Sequence, residues 1–163
     1  MRLAIVPGSF DPMTLGHLEL IRIAAQRYDE IVVAVMQNAE KQYLFTTEER
    51  VEIAKLTVAE IPNVRVISDD GMLIDLYDRL GASAVCKGFR NETDLAYEKR
   101  MAAWNLAHNP RFVTELIPSE GPYANVSSTD VRNAMKNQEE LSSLVHPGVI
   151  SILSQKQFDI QKN

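Results

Sequence analysis

Cysteine is nearly missing. The 163 residues contain one, Cys86, so no disulfide can form within the chain, and no Cys/His spacing fits a zinc site. Its setting, Ala84-Val85-Cys86, reads as a buried strand rather than a nucleophile's pocket. No apolar run approaches the length that crosses a bilayer. The chain opens directly into a strand-like stretch, which predicts no secretion signal. A basic excess is absent too: 17 Lys and Arg face 22 Asp and Glu, a formal net charge of −5. That argues against a general nucleic-acid binder but leaves room for a local cationic cluster and a small anionic ligand. These absences predict a cytoplasmic protein that binds neither membrane nor nucleic acid. Repeats, low-complexity segments and long linkers are also missing. With 45% hydrophobic and 24% charged residues, the composition suits one domain over residues 1–163.

What the chain has is an alternation of short apolar runs and helical patterns. Leu3–Val6, Ile31–Met36, Val64–Ile67, Ala84–Cys86 and Phe112–Ile117 are rich in Val and Ile, as in strands covered on both faces. Helices are expected near residues 17–27, 47–60, 72–80, 93–108, 129–136 and 147–155. Thr46-Thr47-Glu48-Glu49 has capping-box spacing if Thr46 is the N-cap; if Thr47 is the cap, Arg50 takes the third place and the box is lost. The alternation implies right-handed crossovers and a parallel sheet. The expected fold is α/β: a Rossmann-like, doubly wound sheet of about five parallel strands with helices on both faces. Ligands of such sheets bind beyond the carboxyl ends of the strands, at the switch point, so chemistry is expected in the loops that follow the strands.

Four of those loops hold unusual residues. The first, Pro7-Gly8-Ser9-Phe10-Asp11-Pro12-Met13-Thr14-Leu15-Gly16-His17, leaves a strand and delivers a Gly-His pair to the start of a helix. Free backbone N–H groups and the positive end of the helix dipole make such a turn an anion site, and His17 there can donate to a phosphate oxygen. It is not a P-loop, because no Gly-Lys-Ser/Thr ends it, and it lacks G-x-G-x-x-G spacing. After the second strand comes Lys41, which taken alone reads as a solvated surface lysine. After the fourth comes Lys87-Gly88-Phe89-Arg90. Its two cations flanking a glycine suit anion capture or, equally, a salt-bridged turn. After the fifth, Tyr123-Ala124-Asn125-Val126 leads into Ser127-Ser128-Thr129. A plain N-cap needs one hydroxyl; several together suit a second phosphate cradle. His108, before Asn109-Pro110, and His146, before Pro147, read as structural. Met101 and Trp104 lie inside a helix and read as core or subunit contact.

Gly8-Ser9-Phe10-Asp11-Pro12-x-Thr14-x-Gly16-His17 resembles the T/HxGH signature of the nucleotidylyltransferase superfamily, and Ser127-Ser128-Thr129-x-Val131-Arg132 resembles its second signature. Phe45-Thr46-Thr47-Glu48-Glu49-Arg50, Lys87-Gly88-Phe89-Arg90 and Asp94-x-x-Tyr97-Glu98 are similar, in order and spacing, to those of the bacterial phosphopantetheine adenylyltransferases. The resemblance covers nearly the whole chain and is weakest in its last twenty or so residues. It implies adenylyl transfer from ATP to 4′-phosphopantetheine, giving dephospho-coenzyme A and pyrophosphate, with Mg²⁺ as cofactor and no covalent intermediate. It also implies a homo-oligomer, commonly a hexamer.

By the same resemblance, His17 stabilises charge on the α-phosphate, and Ser9 and Phe10 contact the nucleotide and the reacting phosphate. Lys41, helped by Lys87, holds the incoming phosphate, and Leu73 lies against the pantetheine arm. Gly88, Phe89, Arg90 and Glu98 line the nucleotide side, and Tyr123, Ala124, Asn125, Val126, Ser127, Ser128 and Thr129 cradle adenine and the outer phosphates. No metal-ligand cluster is expected, which fits an ion held mainly by phosphates and water. The chain departs from the family pattern at Lys87, where arginine is common and a two-pronged contact is lost. Ser9 replaces a frequent threonine but keeps the hydroxyl, and Ala96 stands where an acid is frequent. Thr129 is similar to relatives that adenylylate nicotinamide mononucleotide. That acceptor, a polyol phosphate with CTP, and a nucleotide sensor without catalysis remain the competing readings.

Overall fold

A computed structural model describes residues 1–162. Strands and helices alternate as β1 (Leu3–Gly8), α1 (Leu15–Arg27), β2 (Glu30–Met36), α2 (Thr47–Thr57), β3 (Val64–Asp69), α3 (Leu73–Leu80), β4 (Ala84–Phe89), α4 (Glu92–His108), β5 (Thr114–Pro118), α5 (Ser128–Lys136) and, after a 3₁₀ turn at Pro147–Val149, α6 (Ile150–Lys162). The strands form one sheet in the order β3-β2-β1-β4-β5, every neighbouring pair parallel. The chain winds outward from β1 through β2 to β3, then crosses back to place β4 on the other side of β1. The switch point is therefore the gap between the carboxyl ends of β1 and β4, where ligands of such sheets bind.

Alternation along each strand divides the core into two layers. Ala4 and Val6 of β1, Val33 and Val35 of β2, and Ala84 and Cys86 of β4 share one face with Leu18 and Ile21 of α1, Ile53 of α2, Val131 of α5 and Leu153 of α6. Leu3, Ile5, Val32, Ala34 and Val85 point the other way, onto Leu76 and Tyr77 of α3 and onto Phe112. Helices thus cover both faces, as the unalternating apolar strands require. Cys86 lies buried in the first layer, and burial together with the nearby Glu115 carboxylate pushes its thiol pKa up to about 12.

Several boundaries differ from the sequence expectation, each for a local reason. β4 runs three residues past Cys86, because Lys87, Gly88 and Phe89 keep pairing with Leu116, Ile117 and Pro118. Lys87, Gly88 and Phe89 therefore belong to the strand, and of that tetrapeptide only Arg90 follows it. β1 likewise takes in Pro7 and Gly8, paired with Ala34 and Val35. β5 begins at Thr114 instead of Phe112, whose N–H closes a turn on the Asn109 carbonyl and whose ring packs against Tyr77 at 4.6 Å. Thr46, not Thr47, caps α2: its hydroxyl accepts the Glu49 N–H while the Glu49 carboxylate accepts the Thr46 N–H.

Candidate active site

The first turn of α1 is closed by Thr14. Its hydroxyl accepts the N–H groups of Gly16 (3.1 Å) and His17 (3.3 Å), and its own N–H donates to His17 Nδ1 at 3.0 Å. A peptide N–H can only donate, so Nδ1 carries a lone pair and the proton of the neutral ring is on Nε2. Burial, and then the positive charges of Lys87 and Arg90, lower the His17 pKa from 6.5 to about 4. At neutral pH the side chain is therefore an uncharged Nε2–H donor, steered by an edge-on contact with the Phe10 ring at 5.0 Å. His108 and His146 are occupied elsewhere. One stacks on Trp104 at 3.8 Å with its Nδ1 on that residue's carbonyl, and the other caps the 3₁₀ turn through the Gly148 N–H.

The loop before α1 is tightly built. Phe10 holds a positive φ of 47°, an uncommon conformation for a residue with a side chain, and its ring lies 3.0 Å from where a Cβ on Gly8 would stand. A Cβ on Gly16 would meet the carbonyl oxygens of Val126 at 2.7 Å and Tyr123 at 3.0 Å. Gly16 is thus what lets the loop before α5 lie directly on the first turn of α1.

Four polar residues fasten this loop to its neighbours. The buried Asp11 carboxylate accepts the N–H groups of Leu44 and Phe45, both at 2.9 Å. Arg50, 1% exposed, donates to the carbonyls of Ser9 (2.8 Å) and Met36 (3.2 Å) and stacks on Tyr43 at 3.8 Å. Arg132 donates to the Asp11 carbonyl and Ser128 Oγ to the Pro12 carbonyl, each at 2.8 Å. The segments after β1 and β2 and the start of α5 are therefore one hydrogen-bonded body.

A cleft of about 550 Å³ opens at the switch point. Of the residues expected at the site, Phe10, His17, Lys87, Gly88, Arg90, Glu98, Ala124, Val126, Ser127 and Ser128 line it. Both cleft cations expected from sequence have carboxylate partners: Lys87 Nζ is 3.7 Å from Glu98, and Arg90 Nε is 3.0 Å from Asp94. The hydrogen bond from Arg90 holds the Asp94 carboxyl below its usual pKa. The salt-bridged reading of Lys87–Arg90 is thus what the structure shows, with both cations on the cleft wall.

The other expected residues stand off the cleft wall. Ser9 lies behind it with its carbonyl on Arg50, and Phe89 ends β4 with its carbonyl accepting the Ser119 N–H at 2.8 Å. Tyr123 faces a neighbouring hollow, Asn125 is exposed, and exposed Thr129 accepts from Arg132 at 3.1 Å. Lys41 is exposed on the segment after β2, its N–H on the Asn38 carbonyl at 3.0 Å. Leu73 lines a second cavity, of about 110 Å³, shared with Lys87, Glu98, Met101, Asn105 and Thr114. Lys87, Tyr97 and Glu98 border both spaces, so cleft and cavity adjoin at the Lys87–Glu98 pair.

Sequence reasoning missed the fastening roles of Asp11, Arg50, Ser128 and Arg132 and most of the second cavity. Thr14 and Gly16 stand in the motif without an evident role until the fold brings Val126 over them. Asp11, Arg50 and Arg132 stand within the quoted motifs, but nothing in the sequence says which backbone groups they hold. Among the described residues no three His, Cys, Asp or Glu side chains converge as a metal cage.

Comparison with known proteins identifies the family. The family model described as cytidylyltransferase-like matches residues 5–134, and the chain belongs to that family of nucleotidyltransferases. Proteins named phosphopantetheine adenylyltransferase from Staphylococcus carnosus, Lachnoclostridium phytofermentans and Heliobacterium modesticaldum are each 37% identical to it. The alignments cover 94%, 96% and 98% of this chain and 95%, 96% and 95% of those relatives. Within the wider family the chain is a member of the phosphopantetheine adenylyltransferases. A solved structure from Vibrio parahaemolyticus, assigned as a nicotinate-nucleotide adenylyltransferase, superposes with a TM-score of 0.68 over 94% of this chain and 99% of that one. At 17% identity it shares the fold.

Proposed function

We propose that this chain transfers the adenylyl group of ATP to 4′-phosphopantetheine, reversibly, giving dephospho-coenzyme A and pyrophosphate. The observation that carries the chemistry is the neutral Nε2–H of His17, fixed by the Thr14 N–H in the first turn of α1 and facing the switch-point cleft. In this reading the acceptor phosphate attacks the α-phosphorus in line, and the bond to the leaving pyrophosphate breaks. As charge grows on the α-phosphate oxygens, His17 donates to one of them, and the N-terminus of α1 adds its dipole. Such a transfer needs placement and electrostatic stabilisation, with little covalent help from the protein.

Arg90 and the start of α5 at Ser127, Ser128 and Thr129 take the outer phosphates, with Ala124 and Val126 against the nucleoside and Gly88 and Glu98 on the facing wall. Lys87, at the border of cleft and cavity, receives the acceptor phosphate, and Lys41 reaches it from the segment after β2. The remaining assignments are Ser9 and Phe10 beside the reacting phosphate, with Phe89, Tyr123 and Asn125 flanking the nucleotide. Leu73 and its cavity favour an acceptor with a long, partly apolar arm.

Mg²⁺ fits this site as an ion carried on the triphosphate, since it prefers phosphate oxygens and retained water to a protein cage. The carboxylates beside the cleft, Asp94 and Glu98, are engaged by Arg90 and Lys87. When bound, the ion would offset charge on the leaving pyrophosphate. We assign the working form to a homo-oligomer, a hexamer by family resemblance, supported by the exposed Tyr97, Met101, Trp104 and Leu106 of α4. The compartment we assign is the cytoplasm; among the described residues no helix is long and apolar enough to cross a membrane.

The test is pyrophosphate release from ATP and Mg²⁺, with 4′-phosphopantetheine and nicotinamide mononucleotide supplied side by side. Release with phosphopantetheine alone is expected. Release only with the mononucleotide would overturn the acceptor, and release with neither would overturn the reaction.

A further inference from the structure

Among the described residues, two buried side-chain polar atoms have no hydrogen-bond partner, Arg50 Nε and Thr114 Oγ1. The first belongs to a guanidinium whose other nitrogens are well bonded. The second is the whole polar capacity of its side chain, one donor and two acceptor sites. Buried hydroxyls almost always find a partner, so the question is what Thr114 is there to meet.

Its position answers. Thr114 pairs with Val85 across the β4–β5 ladder, and Leu116, two residues on, pairs with Lys87. Side chains two apart share a face of a strand, separated by about 7 Å along it. Thr114 and Lys87 therefore stand on the same side of the sheet, and both line the 110 Å³ cavity with Leu73, Met101 and Asn105. The walls from Leu73, Val85 and Met101 are apolar. Besides Lys87, Glu98 and Tyr97, the polar side chains of its lining are the Thr114 hydroxyl and the Asn105 amide, and that amide makes no hydrogen bond among the described residues.

We propose that Thr114 is a specificity-determining residue for the acceptor. Its hydroxyl hydrogen-bonds a polar group, an amide or hydroxyl, on the acceptor's arm, several bonds from the phosphate that Lys87 holds. The proposal rests on the phosphopantetheine reading and adds to it a residue that no motif marks. A site that offers a buried hydrogen-bonding group accepts the ligand that satisfies it and penalises one that does not, because the group is then left unpaired. The apolar walls alone would accept any arm of suitable width.

The experiment compares wild type with Thr114→Val, Thr114→Ala and Thr114→Ser, reading KM for 4′-phosphopantetheine, KM for ATP and the melting temperature of each. Thr114→Val keeps the shape and deletes the hydroxyl. Its acceptor KM is expected to rise about 10-fold, as for a lost neutral hydrogen bond. ATP KM should be unchanged and the melting temperature no lower than wild type, since an unpaired buried hydroxyl is gone. Thr114→Ser should stay within about 3-fold of wild type for the acceptor, because the hydroxyl remains. Thr114→Ala deletes the hydroxyl by another route and should repeat the KM rise.

An unchanged acceptor KM in both hydroxyl-less variants would give that hydroxyl to bound water and overturn the proposal, leaving the reaction intact. An equal rise in both KM values would make Thr114 a packing residue and overturn it as well. Wild-type protein that binds ATP but turns over no phosphopantetheine would overturn the acceptor reading itself, and the role of Thr114 with it.

Discussion

Helices α1 and α5 both point their N-termini at the switch-point cleft, and both begin with a reciprocal capping box, but the boxes differ at one residue. In α5, Ser127 pairs with Asp130, and in the more distant α2 Thr46 pairs with Glu49; each third residue is a carboxylate. In α1 the third residue is His17, whose Nδ1 accepts the cap N–H in place of a carboxylate oxygen. A carboxylate at that place satisfies the backbone but brings a negative charge to the positive helix end. Histidine satisfies the same N–H without adding negative charge, and it keeps a second nitrogen, with its proton, for a ligand. One local device thus closes the helix end with a carboxylate in α2, and in α1 closes it while leaving a ring N–H facing the cleft.

The largest effect should come from breaking that double use. In His17→Ala, turnover is expected to fall by about 10²–10³-fold while ATP binding persists, as for a lost transition-state donor. Single-turnover rates beside nucleotide titration would check both halves. His17→Glu sharpens the comparison by giving α1 the box of α2. Stability should stay within about 1 kcal/mol of wild type with turnover no better than the alanine variant. A His17→Glu enzyme with near-normal turnover would mean the donor is not what matters.

Gly16→Ala is expected to be next. The added carbon meets two backbone oxygens, which cannot swing aside as a flexible side chain can, so a cost of roughly 2–3 kcal/mol in denaturant unfolding is expected. The caps themselves should rank below this. Thr14→Ala should cost about 2 kcal/mol, because its hydroxyl is buried and serves two N–H groups, and Ser127→Ala about 1 kcal/mol. Equal costs at the two ends would remove the distinction between them.

The smallest effect is in pH dependence. The unfolded chain protonates His17 near pH 6.5, the folded one only near pH 4. Between those values the unfolded state holds more protons, so stability should decline as pH falls through the window. Glu49 acts at lower pH. Burial pushes its carboxyl up, but hydrogen bonds from Lys156 and Thr46 outweigh this and leave it below 4.5. Its contribution is full above that pH and lost as pH falls through the lowered value. Denaturation midpoints followed from pH 7 to pH 4 should fall less steeply in His17→Ala than in wild type.

Much of this was readable from residues alone. The apolar runs announced a two-sided parallel sheet, and the loops after its strands held the motifs. Strand ends were less legible, because Lys87 and Gly88 interrupt an apolar run that the hydrogen-bond ladder simply continues through. The partners that hold the site were not legible at all. That Asp11 would take the Leu44 and Phe45 amides, or Arg50 the Ser9 carbonyl, depends on contacts 33 to 41 positions apart in the chain. The Thr114 cavity was invisible for the same reason. It needs β4, β5 and α4 assembled before its walls exist.

The lone cysteine has a consequence for the acceptor. Phosphopantetheine ends in a free thiol, and an enzyme that handles such a molecule at every turnover is exposed to mixed-disulfide capture whenever conditions turn oxidising. Exchange requires a thiolate with access to its target. Cys86 is buried and borders the cleft, but its pKa near 12 keeps it a thiol at neutral pH, so it offers the substrate no thiolate with which to exchange.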